Sequence, residues 1–110
     1  MPIEQVVGTN TAVFGGTMYR DYHDSLHRDP RALPRYGVTG NAGAMVANRI
    51  SHFFDLRGPS VAMDTACSTG LTALHLACQS LRTGEADMAI VVGGNLMLNS
   101  DVFVTMSNLG

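Results

Sequence analysis

Charge is scarce in this 110-residue chain: Asp, Glu, Lys and Arg make up 15% of it, and the formal net charge is −2. With no basic run, there is no electrostatic ground for binding nucleic acid or an anionic membrane surface. No uninterrupted apolar stretch approaches the roughly 20 residues a membrane span needs, and the N-terminus lacks the basic-then-apolar pattern of a secretion signal. A cytoplasmic location is therefore expected. Cysteine is also sparse, with only Cys67 and Cys78. If both lie on one helix, the eleven positions between them, at about 1.5 Å each, amount to about 16 Å along the axis. That is beyond disulfide reach, so two free thiols are expected.

The chain does have a 45% apolar content and 12 glycines. That is enough for one small globular domain with a modest core. So little charge on so small a body, and an end at Leu109-Gly110 without a capping or charged tail, point to a piece of a larger domain.

Along the chain, Val6-Val7-Gly8 reads as the start of a strand, and Thr11–Gly16 as a buried strand closed by two glycines. Met18–Arg35 is the exposed part; Tyr19, Tyr22 and Leu26 have helical spacing, and Pro30 ends that helix. His23 and His27 stand four apart, as two ligands on one helix face would. No carboxylate completes an H-E-x-x-H pattern, so they are read as solvated side chains and no metal is assigned. A second helix is expected from Asn41, as its cap, to Phe54, stopped by the Gly and Pro of Asp55-Leu56-Arg57-Gly58-Pro59. Within it His52 reads as a residue packed beside Phe53 and Phe54, and Arg49 as an ion-pair partner of Asp55.

Residues 60–64 then read as a strand, 67–83 as a helix apolar on nearly every face and hence buried, with Gly84 as its stop. Residues 87–92 read as a strand buried on both faces. Such a strand-helix-strand unit makes parallel neighbours in one sheet. From Asn95 to Gly110 neither helix nor strand wins.

The chemistry concentrates at Ser60–Leu71, where the strand delivers Cys67 to the first helical turn. A helix N-terminus carries partial positive charge and free N–H groups, which favour a thiolate and help to hold an oxyanion. A nucleophilic cysteine also needs a base or polariser. His75, eight residues along the same helix, lies about 12 Å away along the axis, and nothing in the sequence brings His23, His27 or His52 to the sulfur. The plainer alternative is a buried small hydrophobe at a helix start. A cysteine hydrolase is disfavoured by the missing Gly-x-Cys-x-Gly frame.

Asp64-Thr65-Ala66-Cys67-Ser68, continued by Leu71–Glu85, resembles the active-site region of β-ketoacyl synthase (ketosynthase) domains, especially those of fungal-type type I polyketide synthases. The likeness extends upstream through Gly40-Asn41, Ala47–Ser51 and Phe54–Ser60, and downstream through Gly93–Met97. It implies an α/β chain, part of the N-terminal half of a thiolase-like fold, with a mixed sheet and a buried active-site helix. Residues 1–110 would then be a partial ketosynthase N-terminal domain, truncated at both ends.

By the same resemblance Cys67 is the nucleophile, and its backbone N–H is one half of the oxyanion hole. The cysteine takes an acyl group from an acyl carrier protein and then undergoes decarboxylative Claisen condensation with a malonyl-carrier protein. No cofactor is bound directly; the substrates ride on phosphopantetheine. The partners implied are the carrier protein with its acyl and malonyl thioesters, and a second copy in a homodimer, with no nucleic acid and no membrane.

Two departures stand out. Ser68-Thr69-Gly70 replaces the family's run of serines, and Gly70 is expected to loosen the first helical turn. The family's two histidine motifs are absent, so the 110-residue chain alone is expected to be inactive. The alternatives are a non-catalytic thiolase-fold module for dimerisation or binding, which retention of Cys67 disfavours, and a ketosynthase of the fatty acid synthase type.

Overall fold

Strand β1 (Thr11–Gly16) is buried at every residue. Successive side chains of a strand leave on opposite faces, and here both faces meet apolar partners. Ala12 and Phe14 pack with Ala73, Ala77 and Ala86 on one side, while Val13 packs with Ala47 and Leu56 on the other. A computed structural model describes residues 2–110. In it β1 is flanked by β2 (Ser60–Ala62) and β3 (Met88–Gly93), both parallel to it, in the order β2-β1-β3. Helix α3 (Met45–Phe53) covers one face and α4 (Thr69–Arg82) the other, giving three layers with the core on either side of β1.

The strand-helix-strand unit expected over residues 60–92 is present, but β2 and β3 are not neighbours, because β1 lies between them. The strand apolar on both faces takes the centre, where both of its edges are hydrogen-bonded. β3 consequently pairs through one edge here, and Val91 is 37% exposed rather than buried on both faces. The resemblance implied a mixed sheet; the three strands described here are all parallel.

Helix α4 also differs from the expectation of burial all round. Thr69, Ala73, Ala77 and Ser80 form its buried stripe, at the spacing of one helix face. Leu71, opposite the stripe, is 75% exposed, and Leu74 and Leu81, which flank it, are 48% and 43% exposed. Small side chains let the helix sit close on β1 and β3. The helix ends as expected at Gly84, whose φ of 73° no β-carbon resists. The Glu85 N–H donates to Ser80 O (3.0 Å) and the Gly84 N–H to Leu81 O (3.3 Å), satisfying the last carbonyls.

The helix expected over residues 41–54 is two helices, α2 (Gly37–Asn41) and α3, separated where Ala42 turns extended. Asn41 is therefore the last residue of α2, its amide donating to Gly37 O (3.0 Å), and does not cap α3. Nor do Gly58 and Pro59 stop α3. Asp55 does so at φ 51°, with the Leu56 N–H donating to Ser51 O (2.8 Å) while buried Leu56 anchors the turn. Asp55 pairs with Arg57 (2.7 Å) instead of Arg49, which donates to Thr39 O (3.3 Å). His52 is exposed rather than packed.

Nearer the N-terminus, Val6-Val7-Gly8 is a turn after a short 3-10 helix (Ile3–Gln5), and not a strand. Helix α1 (Asp21–Leu26) is shorter than its apolar spacing suggested, leaving Tyr19 outside, where its N–H donates to Asn95 Oδ1 (3.0 Å). Pro30 opens a separate 3-10 turn capped by Asp29, whose carboxyl is held below the usual carboxylate range first by the Arg31 side chain and then by the Arg31 N–H. The rings of His23 and His27 stack at 4.0 Å. Among the described residues, no three His, Cys, Asp or Glu side chains gather to hold a metal ion. Beyond β3, Asp101–Ser107 form helix α5, which the polar Asn99, Ser100, Asp101, Ser107 and Asn108, breaking the apolar run, had obscured in the sequence.

Candidate active site

Past the end of β2 the chain makes a sharp elbow. Ala66 adopts φ 55°, a left-handed conformation that costs an alanine roughly 1–3 kcal/mol. Cys67 is the middle residue of the 3-10 turn Ala66–Ser68, and α4 begins only at Thr69. The thiol thus stands just ahead of the α-helix instead of within its first turn. It is exposed and unpaired, and Cys78, on α4, is half-buried and also free. Gly70 does not interrupt α4, which runs through it.

Short polar side chains hold the elbow. Asp64 Oδ1 accepts from the Ala66 N–H (2.8 Å), and Thr69 Oγ1 accepts from the Thr65 N–H (2.9 Å) while donating to Ala66 O (2.8 Å). Ser68 Oγ donates to Thr65 O (2.7 Å), and the Thr65 and Thr72 hydroxyls lie 3.1 Å apart. Among the described residues nothing accepts from the Cys67 N–H, so that donor is free for a ligand.

Cys67 opens into a cavity of about 320 Å³ whose walls include Gly16, Met18, Gly93 and Asn95. It lies beyond the C-terminal ends of β1 and β3, where open parallel sheets receive their ligands. Two of its glycines sit where backbones approach closely. A β-carbon at Gly16 would fall on the Met63 carbonyl and the Thr69 methyl, and one at Gly93 would come within 3.2 Å of Gly70 Cα. A second cavity of about 590 Å³, lined by Arg20, His23, Arg49 and Asp64 among others, adjoins the first through Gly16. Among the described residues, no histidine lines the Cys67 cavity.

Sequence reasoning singled out Cys67 but passed over Thr69 and Gly16. Thr69 was visible only as a departure from the family's serines, and the contact between Gly16 and the Met63 carbonyl is made across strands, which no local pattern signals.

Residues 1–110 match the model of the family described as the β-ketoacyl synthase N-terminal domain. The chain belongs to this family. As a ketosynthase sequence it is 74% identical over 110 residues to the lovastatin diketide synthase of Monascus pilosus, and 73% identical over 108 residues to the compactin diketide synthase of Penicillium citrinum. These alignments cover 100% and 98% of the chain but only 4% of each relative. Among solved structures, the ketosynthase from module 6 of the bacillaene synthase of Bacillus subtilis 168 superposes with a TM-score of 0.83 at 33% identity, over 99% of this chain and 17% of that one. An oxazolomycin ketosynthase domain of Streptomyces albus gives 0.75 at 37% identity, over 93% and 18%. The α/β fold is therefore that of the ketosynthases, which is thiolase-like, and the sequence kinship is with fungal polyketide synthases.

Proposed function

We propose that Cys67 is the acyl acceptor of a polyketide synthase ketosynthase, of which this chain is the part around the nucleophile. One observation carries this reading: the exposed thiol on a strained elbow, beside an unused N–H, at the mouth of a cavity at the strand ends. The thiolate attacks the carbonyl carbon of an acyl thioester, the oxyanion draws on the Cys67 N–H, and the carrier thiol leaves. A malonyl thioester then loses CO2, its enolate carbon attacks the acyl carbon on sulfur, and Cys67 departs as thiolate from the new β-ketoacyl thioester.

The substrates ride on the phosphopantetheine of an acyl carrier protein, and the protein works as a homodimer in the cytoplasm. Decarboxylation needs groups that polarise the malonyl carbonyl. By the family resemblance two histidines in motifs that this sequence does not contain do so, and the 110-residue chain by itself condenses nothing.

In the complete protein, Cys67→Ala is expected to abolish β-ketoacyl product from acyl and malonyl thioesters, by a factor of about 10³ or more, while Cys78→Ala leaves it within a few-fold. Product formation surviving Cys67→Ala would refute the assignment.

A further inference from the structure

We infer that Thr69 is a positioning residue for acyl transfer, its hydroxyl setting the direction of the Cys67 N–H. The Ala66 carbonyl and the Cys67 N–H belong to one planar trans peptide and point in opposite directions. Whatever fixes that carbonyl fixes the donor at its other end. Thr69 does so twice, through its backbone N–H and through its hydroxyl at 2.8 Å. The same hydroxyl accepts from the Thr65 N–H at 2.9 Å, so one oxygen ties the residue before Ala66 to Ala66's own carbonyl, across the left-handed turn.

Thr69 is buried, at 5% exposure, with its methyl group facing Gly16, so the oxygen has little freedom to leave its two partners. The peptide so pinned is the one whose N–H has no acceptor among the described residues. Strain at Ala66 would otherwise relax by rotating this peptide, and the hydroxyl opposes that rotation.

This inference rests on Cys67 being the acyl acceptor, and it separates two reactions of the same sulfur. Acylation by a thioester passes through an oxyanion and needs the N–H correctly aimed. Alkylation by iodoacetamide displaces iodide at a saturated carbon and forms no oxyanion. Valine keeps the shape of Thr69 and removes its hydroxyl; serine keeps the hydroxyl and removes the methyl group that touches Gly16.

The test measures single-turnover acylation by an acyl thioester and alkylation by iodoacetamide, both in the complete protein. Thr69→Val is expected to slow acylation about tenfold or more, with alkylation changed less than about threefold, because small misplacement of a transition-state donor is costly. Thr69→Ser is expected to restore acylation to within about threefold, even at a lower melting temperature, since the donor geometry depends on the hydroxyl. Should Thr69→Val not fold, the ratio of the two rates in Thr69→Ala decides in the same way. Equal losses in both reactions, unchanged acylation in Thr69→Val, or failure of Thr69→Ser to restore it would overturn the inference. Acylation that persists in Cys67→Ala would instead overturn the functional reading on which it rests.

Discussion

The two faces of α4 reverse the usual order of size and burial. Its buried residues, Thr69, Ala73, Ala77 and Ser80, are all small, with Leu76 half-buried at their edge, whereas Leu71, Leu74 and Leu81 are large and at least 43% exposed. The sealed face shows that closeness, not apolar bulk, brings the first turn of α4 up to the end of β3, where Gly70 and Gly93 nearly touch. That proximity shapes the cavity at Cys67. The open face shows where most of the helix's apolar area goes unused by the layers of this chain.

Substitutions can break or sharpen this contrast. Ala73 has no exposed surface, so Ala73→Leu forces α4 off β1 and is expected to cost about 1–3 kcal/mol. The check is urea denaturation, and a neutral result would mean that the seam is loose. Leu71→Ser alters the open face and is expected to move the stability of the 110-residue chain by no more than about 0.5 kcal/mol, as at an uncovered surface position. A loss of several times that, in the same titration, would mean that Leu71 is covered and the contrast false.

Much of the frame was legible. The β1 run, the strand leading to the cysteine, the helix after it, its stop at Gly84 and the strand beyond all lie within a few residues of where hydrophobic pattern and capping chemistry put them. What escaped was decided between elements. That β1 would part β2 from β3 depends on which strand is apolar on both faces, a ranking invisible when each strand is read alone. The all-round apolar pattern of α4 suggested full burial because the pattern marks which residues avoid water, without saying whether this chain or something else covers them. Asp55 ends α3 in a conformation usually left to glycine, so the end falls within one residue of the expected Phe54 but by a different device from the visible Gly58-Pro59 signal.

At the site, the small-residue setting singled out Cys67 without deciding between a nucleophile and a buried thiol, and the relatives show the family. The elbow's internal scaffold was not. Thr65, Ser68, Thr69 and Thr72 look like ordinary small polar residues until the left-handed turn at Ala66 brings their hydroxyls together.

The central claim, that Cys67 and not Cys78 receives the acyl group, can be tested on one peptide. Cleavage after Arg57 and Arg82 releases residues 58–82, which carry both cysteines. After the complete protein is incubated with an acyl thioester, fragment-ion mass spectrometry of this peptide should place the acyl mass on Cys67 and leave Cys78 free. An acyl group on Cys78, or an unmodified peptide from protein that is forming product, would contradict the account.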